Sequence, residues 1–118
     1  MKYSYSIKEL DMNGYKTMYF CLEDGLEPVT NFINTDISSE KGANLFINKI
    51  KRVLEGDVSS DVVSGNSSVL TIKHDFVDVE EMFFGNKVVS IEPTELILLI
   101  EAFVMEKKNY DNSHNIDI

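Results

Sequence analysis

The stretch HDFVDVEEMF, His74 to Phe83, carries Asp75, Asp78, Glu80 and Glu81 beside one imidazole within ten positions. Carboxylates gathered this closely can hold a hard cation, share a proton as a catalytic pair, or offer a negative surface to a basic partner. The same residues read as a β-strand, which sends successive side chains to opposite faces. Asp78 and Glu80 therefore share one face while Glu81 takes the other. The stretch also lacks the glycine-hinged loop that wraps calcium, so no metal site is assigned to it.

The choice of buried face follows from the cost of burying charge. With Val77 and Val79 inward, Phe76, Asp78, Glu80 and Met82 all point to solvent. The opposite register would bury two carboxylates, at several kcal/mol or more if they are unpaired. An exposed aromatic and a methionine framed by acids combine an apolar anchor with electrostatic steering, which suits a protein interface. The residues expected to face a partner are Asp57, Asp61, Asp75, Phe76, Asp78, Glu80, Glu81 and Met82.

Covalent and acid–base chemistry find no comparable support. Cys21 is the single cysteine, and the only histidines are His74 and His114, far from it in sequence. Nothing suggests an orienting Asp or Asn for a Cys–His pair. There is no glycine-rich phosphate loop, no G-x-S-x-G, no H-E-x-x-H and no pair of zinc-type cysteines. The expectation is a protein without catalytic residues, cofactor or enzymatic activity.

Charge is distributed unevenly. The net charge is −9 over 118 residues. Residues 1–54 hold seven acids and seven bases, whereas residues 55–81 hold seven acids and only Lys73, for a net of −6. Such a balance argues against nucleic acid or anionic membrane as a partner and in favour of a basic protein. The longest apolar run, LILLI at Leu96–Ile100, falls far short of the roughly 20 residues that span a bilayer. The N-terminus alternates polar and apolar residues rather than forming a signal peptide, and one cysteine cannot close a disulfide within the chain. Both point to the cytoplasm.

The elements that must position these groups are legible in the spacing. YSYSI alternates, and the following Asn13-Gly14 is a strong two-residue hairpin signal. That turn sets Tyr5 opposite Leu22, Ser6 opposite Cys21, Ile7 opposite Phe20 and Lys8 opposite Tyr19. Residues 23–37, with Gly25 and Pro28, show no sustained period and read as an irregular connection. Ser38 or Ser39 then caps a helix whose Ala43, Phe46, Ile47, Ile50, Val53 and Leu54 form one apolar stripe, ending at Gly56. Four short strand-like runs follow as an antiparallel meander, because their linkers are too short for helical crossovers. Pro93 and Thr94 open a closing helix to about Lys108. The fold class is α+β: an antiparallel sheet of about five to six strands with two helices, in the order ββ-α-ββββ-α. Residues 1–110 form one domain and 111–118 a flexible C-terminal tail.

The segment from Val62 to Lys108, VVSGNSSVLTIKHDFVDVEEMFFGNKVVSIEPTELILLIEAFVMEKK, resembles small bacterial immunity proteins of contact-dependent growth inhibition and other polymorphic toxin systems. Those proteins carry a strand after a glycine, an acid-rich strand, a short strand and a closing helix announced by Pro-Thr-Glu. The resemblance implies a cytoplasmic inhibitor that neutralises a cognate toxin, typically a basic nuclease, without chemistry of its own. The second expectation, of a different class, is an acidic adaptor or structural module without a toxin partner. It would be a monomer or a weak homodimer, joined through LILLI or an edge strand.

Overall fold

A computed structural model describes residues 1–83 and 85–114. The elements run β1 (Tyr5–Met12), β2 (Tyr15–Leu22), α1 (Glu27–Asp36), α2 (Glu40–Leu54), β3 (Ser60–Ser64), β4 (Ser68–Lys73), β5 (Val77–Glu81), β6 (Val88–Ile91) and α3 (Pro93–Ser113). The class is α+β with antiparallel pairing throughout, but the strands form two sheets rather than one. β1 pairs with β2, and β3-β4-β5-β6 make a separate four-stranded meander.

The hairpin has the register that Asn13-Gly14 dictates. Tyr5 pairs with Leu22, Ser6 with Cys21, Ile7 with Phe20 and Lys8 with Tyr19. Asn13 and Gly14 both have positive φ, 55° and 87°, the pattern of a type I′ turn whose twist matches the flanking strands. α2 likewise starts where its cap requires, with the Ser39 hydroxyl accepting the Gly42 N–H at 3.0 Å. Its apolar stripe is buried from Ala43 to Val53, with Leu54 half-buried.

Residues 23–37 are not an irregular connection. They hold α1, which makes three helices rather than two. Pro28 sits in the first turn of α1, where its missing N–H has no partner to lose, so it opens the helix instead of breaking it. Val29, Phe32 and Ile33 then recur at helical spacing and are all completely buried.

α1 also explains why the sheet divides. The side-chain amide of Asn34 docks on the outer edge of β2 as a neighbouring strand would: Phe20 N–H donates to Asn34 Oδ1 at 3.0 Å, and Asn34 Nδ2 donates to the Phe20 carbonyl at 2.7 Å. One step along, the Leu22 N–H donates to Thr30 Oγ1 at 3.2 Å. These bonds satisfy an edge whose backbone groups would otherwise recruit another strand. α1 thus stands between the two sheets, packing on β2 on one side and on β4 and β5 on the other.

At the far end of α1, Asp36 Oδ1 accepts from the Ser67 N–H (2.9 Å) and hydroxyl (3.2 Å), tying the helix to the β3–β4 turn. Gly65 allows that approach, since a Cβ there would collide with the Asp36 carboxylate. α3 covers the remaining core and continues through Ser113, past Lys108, so residues 111–113 are helical and not part of a tail. His114 is the C-cap of α3, and the rest of the expected tail, 115–118, lies outside the described residues. Of LILLI, Leu96, Ile97, Leu99 and Ile100 are buried in the chain's own core and only Leu98 is exposed. No helix among the described residues is long and apolar enough to cross a membrane.

Candidate functional site

β5 settles the division of its side chains. Val77 and Val79 are completely buried, while Glu80 is exposed and Asp78 half-exposed on the opposite side. The pairing register extends that outward face across the sheet. Thr71 and Ser90 flank Asp78, and Val69 and Val88 flank Glu80. Val62 lies beyond, opposite Thr71. Val62 and Val88 are 62% and 53% exposed, so this face carries exposed β-branched side chains alongside two carboxylates. The Ser90 hydroxyl donates to Asp78 Oδ1, which fixes that carboxylate.

These valines were missed by a reading centred on acids. A signal existed: in a strand, each Val-Val pair at 62–63 and 88–89 must place one member on each face. Val63 is accordingly buried and Val62 exposed, while Val89 is half-buried and Val88 exposed.

The other expected contact residues divide between the two ends of the sheet. Ser60 pairs with Lys73 and Val77 with Ile91, so the α2–β3 connection and the β4–β5 turn share one end. Asp57, Asp61, Asp75 and Phe76 gather there. Asp57 and Asp75 are exposed, and His74 Nδ1 lies 3.1 Å from Asp75. Asp61 is half-buried, with Lys49 Nζ at 4.0 Å. Phe76 is 37% exposed, and the Lys73 ammonium sits 5.6 Å from its ring centroid. Met82, at 40% exposure, lies at the other end, about 20 Å away for six residues of strand. Phe76 and Met82 therefore flank the face lengthwise and do not form one anchor.

Glu81 is not a surface charge and is withdrawn from the partner-facing set. It is in phase with Val77 and Val79, points beneath the sheet toward α1, and is only 6% exposed. Asn31 Nδ2 of α1 donates to its Oε1 at 2.7 Å. Glu81 forms part of the wall of a cleft of about 350 Å³ between the β1–β2 hairpin, the start of α1 and the end of β5. Tyr19 and Cys21 line the hairpin side, Glu27 and Asn31 the helix side, and Lys87 the far rim. Cys21 is half-buried in that wall, and neither histidine lines the cleft. Among the described residues, no three His, Cys, Asp or Glu side chains stand close enough together to hold a metal ion.

The chain matches no known family model, no curated protein and no solved structure.

Proposed function

We propose that this chain is a protein-binding inhibitor that docks a basic partner on the open face of its four-stranded sheet, in the manner of an immunity protein neutralising a nuclease toxin. The observation that carries the reading is the outward row of β5. Asp78 and Glu80 share the outward face of the sheet with Val62 and Val88, and Glu80, Val62 and Val88 are all exposed there. Apolar contact with fixed carboxylates in its midst suits a partner that is itself basic, because complementary charge raises association rate and specificity. The concentration of charge in residues 55–81 adds a long-range field to the same surface. A nuclease, which must bind a phosphate backbone, presents the required positive cleft.

The test is the double variant Asp78→Lys, Glu80→Lys. Folding changes little. Glu80 is exposed and contributes within about 0.5 kcal/mol, while loss of the Ser90–Asp78 hydrogen bond costs roughly 0.5–1.5 kcal/mol. Affinity for the cognate basic toxin domain falls by several kcal/mol, that is, about a hundredfold or more, and protection of cells from that toxin is lost. Wild-type affinity in a folded double variant, or no protection by the wild-type chain, overturns the proposal.

A further inference from the structure

We propose that two copies of this chain pair through the outer edge of β1, antiparallel about a two-fold axis at Ile7, so that their hairpins join into one four-stranded sheet. The inference goes beyond the inhibitor reading and uses none of the residues assigned to the open face. A sheet edge carries a row of unmet N–H and C=O groups, and folded proteins blunt such rows with short strands, charges or covering elements. Three of the four edges are blunted in that way. Asn34 and Thr30 bond the edge of β2. On β3, five residues long, the Val62 N–H donates to Asp61 Oδ1 at 2.9 Å. β6 has only four residues and stops just before Pro93 opens α3. β1 has eight residues and no such cover.

The turn identifies which groups are free. Met12 and Tyr15 flank a two-residue turn as a bonded pair, so Leu10, Lys8 and Ser6 direct their backbone groups to β2. Asp11, Glu9, Ile7 and Tyr5 turn theirs outward. The bond from the Glu23 N–H to the Ser4 carbonyl, 3.0 Å, continues the same alternation. No hydrogen bond among the described residues reaches the outward groups. Ile7 lies at the centre of that edge. It is on the core side of the hairpin opposite completely buried Phe20, yet it is 40% exposed.

Charge selects a second copy as the occupant. Residues 1–22 hold Lys2, Lys8 and Lys16 against Glu9 and Asp11, for +1, which leaves −10 on the rest of a chain whose total is −9. A basic partner finds no attraction at the hairpin, and two hairpins repel each other far less than two acidic bodies would. Charge also selects the register. A two-fold axis pairs outward residues with outward residues, and like charges directly opposite are destabilising. An axis at Lys8 sets that lysine against itself, and an axis at Glu9 does the same to that carboxylate. An axis at Ile7 joins the two isoleucines, sets Tyr5 against Glu9 and Ser6 against Lys8, and opposes no like charges. Ile7 then exchanges both backbone bonds with its counterpart, as an added strand does.

The experiment is sedimentation equilibrium of the full chain from low micromolar to millimolar concentration, with amide hydrogen exchange by NMR over the same range. The wild type passes from monomer to dimer. Exchange at the Ile7 and Glu9 amides slows severalfold as it does so, while Lys8 and Leu10, already bonded to β2, barely change. Ile7→Lys, which opposes two ammonium groups at the axis, weakens the dimer about tenfold or more and keeps the monomer's spectrum. Val62→Thr, on the other sheet, dimerises as the wild type does. A strict monomer at millimolar concentration overturns the proposal, as does an undiminished dimer in folded Ile7→Lys or a dimer lost in Val62→Thr. Should Ile7→Lys fail to fold, the exchange pattern of the wild-type chain decides, and a dimer that leaves the Ile7 and Glu9 amides unprotected overturns the assignment.

Discussion

Asp78 and Glu80 on the open sheet face and Glu81 in the cleft below belong to one five-residue strand, and their surroundings are opposite. The outward pair keeps much of its hydration, so its effect outside the chain is a field that reaches about one Debye length, roughly 8–10 Å at ordinary salt. Glu81 is only 6% exposed on the opposite side of the strand, with the Asn31 amide donating to its Oε1. The open face can therefore tolerate substitution, whereas the packing around Glu81 depends on one hydrogen-bond geometry. Sequence proximity says nothing of this contrast. Alternation along the strand and the position of α1 create it.

The contrast between the two sides of the sheet is sharpest in packing. Leu70, completely buried beneath β4, should lose about 2–5 kcal/mol of stability on truncation to Ala. Val62→Thr on the open face of neighbouring β3 should stay within about 0.5 kcal/mol. Denaturant unfolding of both variants checks the pair, and comparable losses would mean that the face called open is covered in solution.

A smaller effect probes the cleft. Asn31→Ala removes the described donor to Glu81 and leaves a buried acceptor, for an expected loss of about 1–3 kcal/mol. The companion Glu80→Ala, one residue away on the exposed side, should be nearly silent in the same melt. A loss below about 0.5 kcal/mol for Asn31→Ala would show that water in the cleft replaces the amide, and the distinction between the two carboxylates would narrow.

The smallest effect concerns a third kind of carboxylate, solvent-accessible yet tightly hydrogen-bonded. At the start of α3, the Lys2 ammonium donates to Glu92 Oε2 at 2.6 Å and the Tyr3 hydroxyl donates to Oε1, clasping the N-terminal segment to the helix. The Lys2 bond first, then that from Tyr3, pulls the Glu92 carboxyl from its ordinary 4.5 down to about 2. A depressed folded value means that the contribution is present above pH 4.5 and is lost as pH falls from there through about 2. Melting temperature should therefore fall over that window, and Glu92→Gln should flatten the fall slightly, because solvent screens the clasp. A profile identical to wild type would place the acid sensitivity at other carboxylates.

Much of this could be read from local rules. Asn13-Gly14 set the hairpin register because a two-residue turn of that type leaves no other pairing. Ser39 and the stripe from Ala43 to Val53 defined α2, and the valines of β5 chose its buried face because two carboxylates could not be buried in their place. α1 was misread for a local reason: Gly25 and Pro28 look like breakers, while a proline in the first turn of a helix is an opener.

What the sequence by itself determined, then, is each element whose signal lies within a few residues: turns, caps and the side of a strand that can face oil or water. The tertiary structure alone decided where those elements met. It set Asn34 and Thr30 against the edge of β2, which ended the sheet after two strands. It brought Asn31 of α1 to Glu81 of β5 across 50 positions and walled the pair with the hairpin. Neither contact has a local signature, because an amide that completes a sheet edge and one that exposes itself to water have the same propensities. The difference is the desolvation of the group each one meets, and that is fixed only when distant segments pack.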